Sequence, residues 1–332
     1  MDRRKFLLSA GVLALCARPG VSSAKRRVGR SSPLRSATSR ERELEEIADE
    51  FAESSPNSTA AASFSTKLDP LDLASIVLES LDTQTDDTVA LATKAGLLLS
   101  EITRDTHDGH DRQFNSEVDA AAARPLTAAL RRSYLDLYTK DFRILSKFNS
   151  ELTKAAKLIV SDKARQRYVE VEGETGVPWY IVGAFHYREA NLNFMGHLHN
   201  GDPLMMRTTH VPPKRPPAPW PPGDNRDPRK LWKLSAVDAL KPFANIVPGW
   251  SFPEMCYAFE AYNGFGYRAQ NSRYPTLNSP YLWNYTNKYN FGRYVCGGFP
   301  RDRVFDPRYV SKQAGLVAIV AKIKQIDGSI KV

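Results

Sequence analysis

Glu189 is the residue around which chemistry can be built. It closes a stretch, Trp179 to Phe185, that is apolar almost throughout. A carboxyl in that position is solvated at the surface, paired with Arg188 or a lysine, or held in a site where its protonation state matters. In the last case it can donate a proton to a poor leaving-group oxygen, as cleavage of a glycosidic bond requires. Two further carboxyls are candidates for the other half of such a reaction. Asp202 lies in the turn sequence Asn200-Gly201-Asp202-Pro203 and is either a second catalytic carboxylate or a turn-forming aspartate. Glu260 precedes Tyr262-Asn263 and is either a water-positioning group or a helix-surface glutamate.

The histidines allow a second chemistry to be weighed. His186 stands three residues before Glu189, on nearly the same helical face, and His197 and His199 follow. A zinc peptidase needs three protein ligands and an open position. The HExxH pattern is absent and Glu189 is adjacent to no histidine. No metal and no other cofactor is therefore expected. His107 and His110 fall in a polar loop and read as solvated; His199 and His210 are expected to hydrogen-bond a hairpin and line a cleft. No Ser/His/Asp arrangement is evident, and Cys256 sits in an apolar helix. Tyr267, Tyr274, Tyr281, Trp283, Tyr285 and Tyr289 crowd one region together with Asn278, Asn284 and Asn287, a composition suited to stacking on sugar rings and bonding their hydroxyls.

Three motifs in order carry a resemblance. Gly176-Val177-Pro178-Trp179 through His186-Tyr187-Arg188-Glu189, with Leu198-His199-Asn200-Gly201-Asp202-Pro203-Leu204, resembles the active-site core of lysozyme-like murein hydrolases. Glu260-Ala261-Tyr262-Asn263-Gly264-Phe265-Gly266-Tyr267 is similar to the Tyr-Asn-Gly element of goose-type lysozymes and soluble lytic transglycosylases, and Asn278-Ser279-Pro280-Tyr281-Leu282-Trp283 fits as a third element. The resemblance covers residues 160 to 326 and departs from the family at Ala190, where many members have serine after the catalytic glutamate. It implies a mainly α, α+β lysozyme-like domain with a small β-hairpin at the cleft. It also implies cleavage of the β-1,4 bond between N-acetylmuramic acid and N-acetylglucosamine, by hydrolysis or transglycosylation. Glu189 is then the acid, Asp202 and Glu260 are candidate partners, and His186, His199, Tyr262, Asn263, Tyr267, Tyr281 and Trp283 contact substrate. A non-catalytic peptidoglycan-binding protein and a zinc-dependent wall amidase or peptidase are the alternative functions.

The elements that must position these residues follow from pattern. Residues 161–332 read as the catalytic domain. Pro178 suits the first turn of a buried helix, and Asn200 to Pro203 reads as a turn leading into an extended segment, Leu204 to Val211. Pro212 to Pro228 is too rich in proline for regular structure. Helices are expected over 231–242 and 253–262, and a last amphipathic helix is expected from Asp306-Pro307 through Lys324. Residues 67–160 read as a helical accessory region. Residues 25–66 read as a disordered linker, with a short charged helix between Glu41 and Phe51.

At the start of the chain, Arg3-Arg4-Lys5-Phe6-Leu7-Leu8, an apolar run to Ala17 and Ser22-Ser23-Ala24 match a twin-arginine signal peptide over 1–24; an ordinary secretory signal is the other reading. That places the protein in the periplasm or outside the cell, with no stable membrane insertion after cleavage. The net charge of +9 falls to +6 once four basic and one acidic residue leave with the signal, which suits an anionic wall polymer; no nucleic-acid motif is present. Cys256 and Cys296 then form one disulfide or remain two thiols.

Overall fold

The computed structural model describes residues 37–54, 68–83, 85–106, 125–210, 212–268, 277–296 and 302–331. The signal sequence, much of the 25–66 stretch and the loop with His107 and His110 lie outside the described residues. The protein is mainly helical. In chain order the helices are α1 (Ala37–Ser54), α2 (Pro70–Thr83), α3 (Asp86–Thr106), α4 (Ala128–Thr139), α5 (Asn149–Val160), α6 (Asp162–Thr175) and α7 (Trp179–Ala190). Then come α8 (Pro228–Ala244), α9 (Phe252–Asn263), the single turn α10 (Pro280–Trp283) and α11 (Leu316–Ile326). None of the described helices is long and apolar enough to cross a membrane.

The chain is laid around α7. All twelve of its residues are buried, so it is apolar nearly all round because it meets protein on every side. Gly176 ends α6 in the left-handed region at φ 73°, where a side chain would be strained, and Pro178 then starts α7. Helix α6 packs on α7 and α8, while α5 packs on α6, α7 and α11. Helix α9 is likewise buried along its whole length and lies against α4, α8 and α10. Its start is fixed by a capping box in which Ser251 and Glu254 exchange hydrogen bonds with each other's backbone ends.

One hydrophobic core runs from Leu44 to Ile330, and α4 and α5, from the expected accessory region, belong to it. Two expectations are corrected. The 25–66 stretch contains an eighteen-residue helix, α1, whose Leu44, Ile47 and Phe51 are buried and which packs on α3. That spacing places three apolar side chains along one helical stripe, enough to dock it. The last helix begins at Leu316. Residues 302–306 instead form β2, paired antiparallel with β1 (Arg293–Cys296) in the register Arg293 to Asp306 and Val295 to Val304. Asn284 Nδ2 holds the carbonyls of Ser311 (2.8 Å) and Gln313 (2.6 Å), which keeps that stretch extended across the end of α10. Val310, expected on an inner helical face, is exposed.

The expected hairpin is smaller than its sequence suggested. A single antiparallel bridge, Gly196 to Pro203, closes the turn, and residues 204–210 form no strand. Helix α3 braces this region. Asn193 Nδ2 donates to the Gly96 carbonyl (2.8 Å) and to Ser100 Oγ (3.0 Å), and Asn191 Nδ2 donates to Thr103 Oγ1 (2.9 Å). The N-terminal half of the chain thus holds the segment that follows Glu189.

Candidate functional site

Helix α7 ends in a left-handed turn. Asn191 has φ 49°, and the backbone N–H of Leu192 reaches the His186 carbonyl at 3.2 Å, a closure that satisfies the last carbonyls of a helix. Glu189 is in this final turn, 0% exposed. Its Oε1 accepts a hydrogen bond from the Tyr281 hydroxyl at 2.5 Å. Tyr281 is delivered by α10, a turn started by Pro280. The Arg188 guanidinium lies 4.8 Å from the Tyr281 ring centre, and Arg188 Nη1 donates to the Ala314 carbonyl at 3.0 Å. On its other side Tyr281 stacks on Tyr262 at 6.4 Å and 14°. Tyr262 also meets Phe185 (4.6 Å) and Phe243 (4.9 Å).

Tyr262 and Tyr281, expected as sugar contacts, are 0% and 2% exposed. Their ring faces are occupied by protein, so they build the wall behind Glu189. Asn263, the last residue of α9, is 5% exposed, and its Oδ1 has no hydrogen-bond partner among the described residues. A buried acceptor left without a donor costs stability, so it marks a position to explain by function.

Asp202 follows Gly201, which packs on the end of α7. Gly201 has φ 75°, and a Cβ there would stand 2.9 Å from Thr103 Cγ2 and 3.2 Å from the Glu189 carbonyl oxygen. The Asp202 carboxylate is absorbed by its own loop. Its Oδ2 accepts from the backbone N–H groups of Thr209 (2.8 Å) and His210 (2.9 Å) and from Asn200 Nδ2 (3.1 Å), while Oδ1 meets His210 Nδ1 at 2.7 Å. Burial raises its pKa, but the His210 and Thr209 hydrogen bonds outweigh burial and hold it below the usual carboxylate value. Asp202 therefore anchors the 202–210 loop, and His210 is the exposed member of the pair.

Glu260 lies in a different place. It lines a pocket of about 430 Å³ with Tyr267, Trp283, Asn278 and Arg268, so three of the expected residues do converge. Glu260 Oε2 accepts from the Tyr134 hydroxyl and from Arg268 Nε at 2.5 Å. Arg268 also covers the Tyr134 ring at 4.6 Å. Burial lowers the Arg268 pKa, and the attraction of Glu260 more than restores it, leaving a net rise. Glu260 is one arm of an ion pair.

Two histidines are corrected. His186 is fully enclosed by Tyr168, Phe194 and Trp232, with Nδ1 3.0 Å from the Tyr168 hydroxyl. Burial drives its pKa down to about 3, so it is a neutral core residue. His199 Nε2 bonds Asp238 Oδ2 at 2.9 Å, and Asp238 is gripped by Arg215 as well. His199 ties the hairpin turn to α8 from a buried position. His197 is buried between Ser235 Oγ (2.7 Å) and the Met206 carbonyl (2.6 Å), and burial lowers its pKa to about 4. Among the described residues no group of three or more His, Cys, Asp or Glu side chains is placed to hold a metal. Cys256 is a free, buried thiol, pushed well above its ordinary pKa by burial.

Sequence reasoning missed Tyr134, Arg268, Asp238 and Glu151. The first three act through partners 126, 8 and 39 residues away, and no local pattern announces the two distant pairings. Glu151 sits in an ordinary amphipathic helix, and only its surroundings distinguish it. No protein family, curated protein or solved structure matches this chain.

Proposed function

We propose that the protein is an exported glycosidase of lysozyme-like fold that cleaves the β-1,4 bond between N-acetylmuramic acid and N-acetylglucosamine in peptidoglycan. The observation that carries the reading is the Glu189–Tyr281 pair at the end of a wholly buried helix. Proton donation to a glycosidic oxygen needs a carboxylic acid, and removal from water is the general means of favouring the protonated form. Helix α7 supplies the enclosure and Tyr281 fixes one oxygen of the carboxyl. Because both groups are enclosed, glycan entry has to displace the Tyr281 side of the wall.

Asn263 adds a second support. Its buried Oδ1 can take the amide N–H of a sugar N-acetyl group, which the described protein groups do not replace. The pocket with Glu260, Tyr267 and Trp283 adjoins the same turn that carries Tyr281, and offers an aromatic and amide surface for neighbouring sugars. In this reading Glu260 and Asp202 are structural: one braces the pocket wall through Arg268, the other holds the hairpin loop. Glu189 gives its proton to the departing O4. Water or the sugar's own 6-hydroxyl then completes the bond at C1, returning its proton to the Glu189 carboxylate and giving a reducing end or a 1,6-anhydro end respectively.

The complete enclosure of Glu189 favours a second reading, a peptidoglycan-binding protein without activity. Incubating purified sacculi with the protein and analysing soluble products by mass separates the two. Muropeptides in the supernatant support cleavage, and sedimentation of intact protein with undegraded sacculi supports binding alone.

A further inference from the structure

A second cavity, of about 530 Å³, opens on the other side of Arg188. Most of the residues in its wall are polar, with Asp69, Lys147, Glu151, Lys154, Arg188 and Lys312 as its charged groups, and Pro70, Leu71 and Ala314 form an apolar part. That size suits a small-molecule or peptide ligand. Glu151 is exposed, and its carboxyl is held by two phenols. Tyr187 Oη donates to Oε1 at 2.7 Å, and Tyr285 Oη stands 3.3 and 3.2 Å from the two carboxyl oxygens.

Tyr285 Oη also donates to the Lys312 carbonyl oxygen at 2.7 Å, so its one hydrogen is shared between that carbonyl and Glu151. Burial pushes the Glu151 carboxyl up, and Asp69 adds to that, against the hydrogen bonds from Tyr187 and Tyr285. The rim carries positive charge. Neither Lys147 nor Lys312 forms an ion pair among the described residues, whereas Lys154 is already taken by Asp69 (2.7 Å) and Asp72 (2.6 Å).

We propose that this cavity binds the C-terminal carboxylate of a short peptide, with Lys147 and Lys312 as its counter-charges. A monoanion fits better than a phosphate dianion because Asp69 and Glu151 share the wall. The apolar residues Pro70, Leu71 and Ala314 accommodate the peptide's last side chain. The assignment stands apart from the cleavage reading; if Glu189 does cleave wall glycan, the peptide stems on that polymer supply such termini.

Titration calorimetry of the full chain with N-acetyl-Ala-Ala, with its C-terminal amide and with inorganic phosphate tests the assignment. The acid binds, and the amide binds at least tenfold more weakly. The double substitution Lys147→Gln and Lys312→Gln, at two exposed positions, weakens the acid at least tenfold and leaves the melting temperature unchanged. Equal binding of acid and amide, indifference to the lysine substitutions, binding of phosphate alone, or no binding at millimolar concentration overturns the proposal. None of these outcomes alters the test of Glu189 on sacculi.

Discussion

Glu189 and Glu260 sit in similar places and share one kind of partner. Each lies near the C-terminal end of a wholly buried helix, and each accepts a hydrogen bond from a tyrosine distant in sequence, Tyr281 and Tyr134 respectively. On Glu260, however, the oxygen that takes the phenol also takes the Arg268 guanidinium. Burial and a phenol contact are therefore not enough to tell an acid from a strut. A carboxylate locked to a guanidinium stays charged and cannot deliver a proton. The same lesson applies to Asp202, whose oxygens are taken by backbone and side-chain groups of its own loop.

This contrast can be broken experimentally. The largest effect expected is on stability. Glu260→Ala leaves the mostly buried Arg268 guanidinium without its counter-charge and should cost about 3–5 kcal/mol, read from urea unfolding. Replacing both members, Glu260→Gln with Arg268→Met, should cost clearly less than Glu260→Ala; a double variant as unstable as the single one would show that the pair is not an isolated strut. Gly201→Ala comes next. The added Cβ meets Thr103 and the Glu189 carbonyl, and the residue must hold φ 75°. A loss of about 1–3 kcal/mol is expected, with a drop in cleavage because the turn is pushed off the end of α7. Unchanged stability and activity would mean that this contact does not position Glu189.

Acid titration sharpens the account of the histidines. His186 and His197 have folded pKa values of about 3 and about 4, against roughly 6.5 in the unfolded chain. Below 6.5 the unfolded chain binds the protons that the folded one refuses. Stability is then fully present above pH 6.5 and falls as pH drops toward the folded values, by up to about 1.4 kcal/mol per pH unit for each histidine. His186→Phe should flatten part of that slope. The smallest effect is expected from Tyr281→Phe, which deletes the hydroxyl on Glu189 Oε1 but keeps the stacked ring. It should reduce cleavage by about tenfold, roughly 1.4 kcal/mol, with little change in unfolding midpoint.

Much of the framework around Glu189 was legible because its signals are local. The apolar run from Trp179, the glycine at 176 and the proline at 178 fix the end of α6 and the start of α7 within a residue or two. The helix expected from Leu231 begins three residues earlier, at Pro228, where Asp227 accepts from the Arg229 N–H at 2.9 Å. The last helix was misplaced because Asp306-Pro307 has the form of a helix start, while the force that keeps 307–315 extended comes from Asn284, more than twenty residues away. The site was legible as a list of residues but not as a constellation. Tyr262, Tyr281 and His186 have the side chains that sugar sites use, and only the packing shows that their faces are spent on one another and on the core. The role of α3 in bracing residues 191–201 was hidden for the same reason. Its Gly96, Ser100 and Thr103 carry no motif, and their meaning lies in Asn191, Asn193 and Gly201 arriving from the other half of the chain.

The most direct measurement is a digest of purified peptidoglycan with the wild-type protein and with Glu189→Gln, products resolved by mass and the variant's fold verified by its unfolding midpoint. The account predicts soluble muropeptides from the wild type, and a loss on the order of a thousandfold or more from a well-folded Glu189→Gln. Undiminished release of muropeptides by the variant would contradict it.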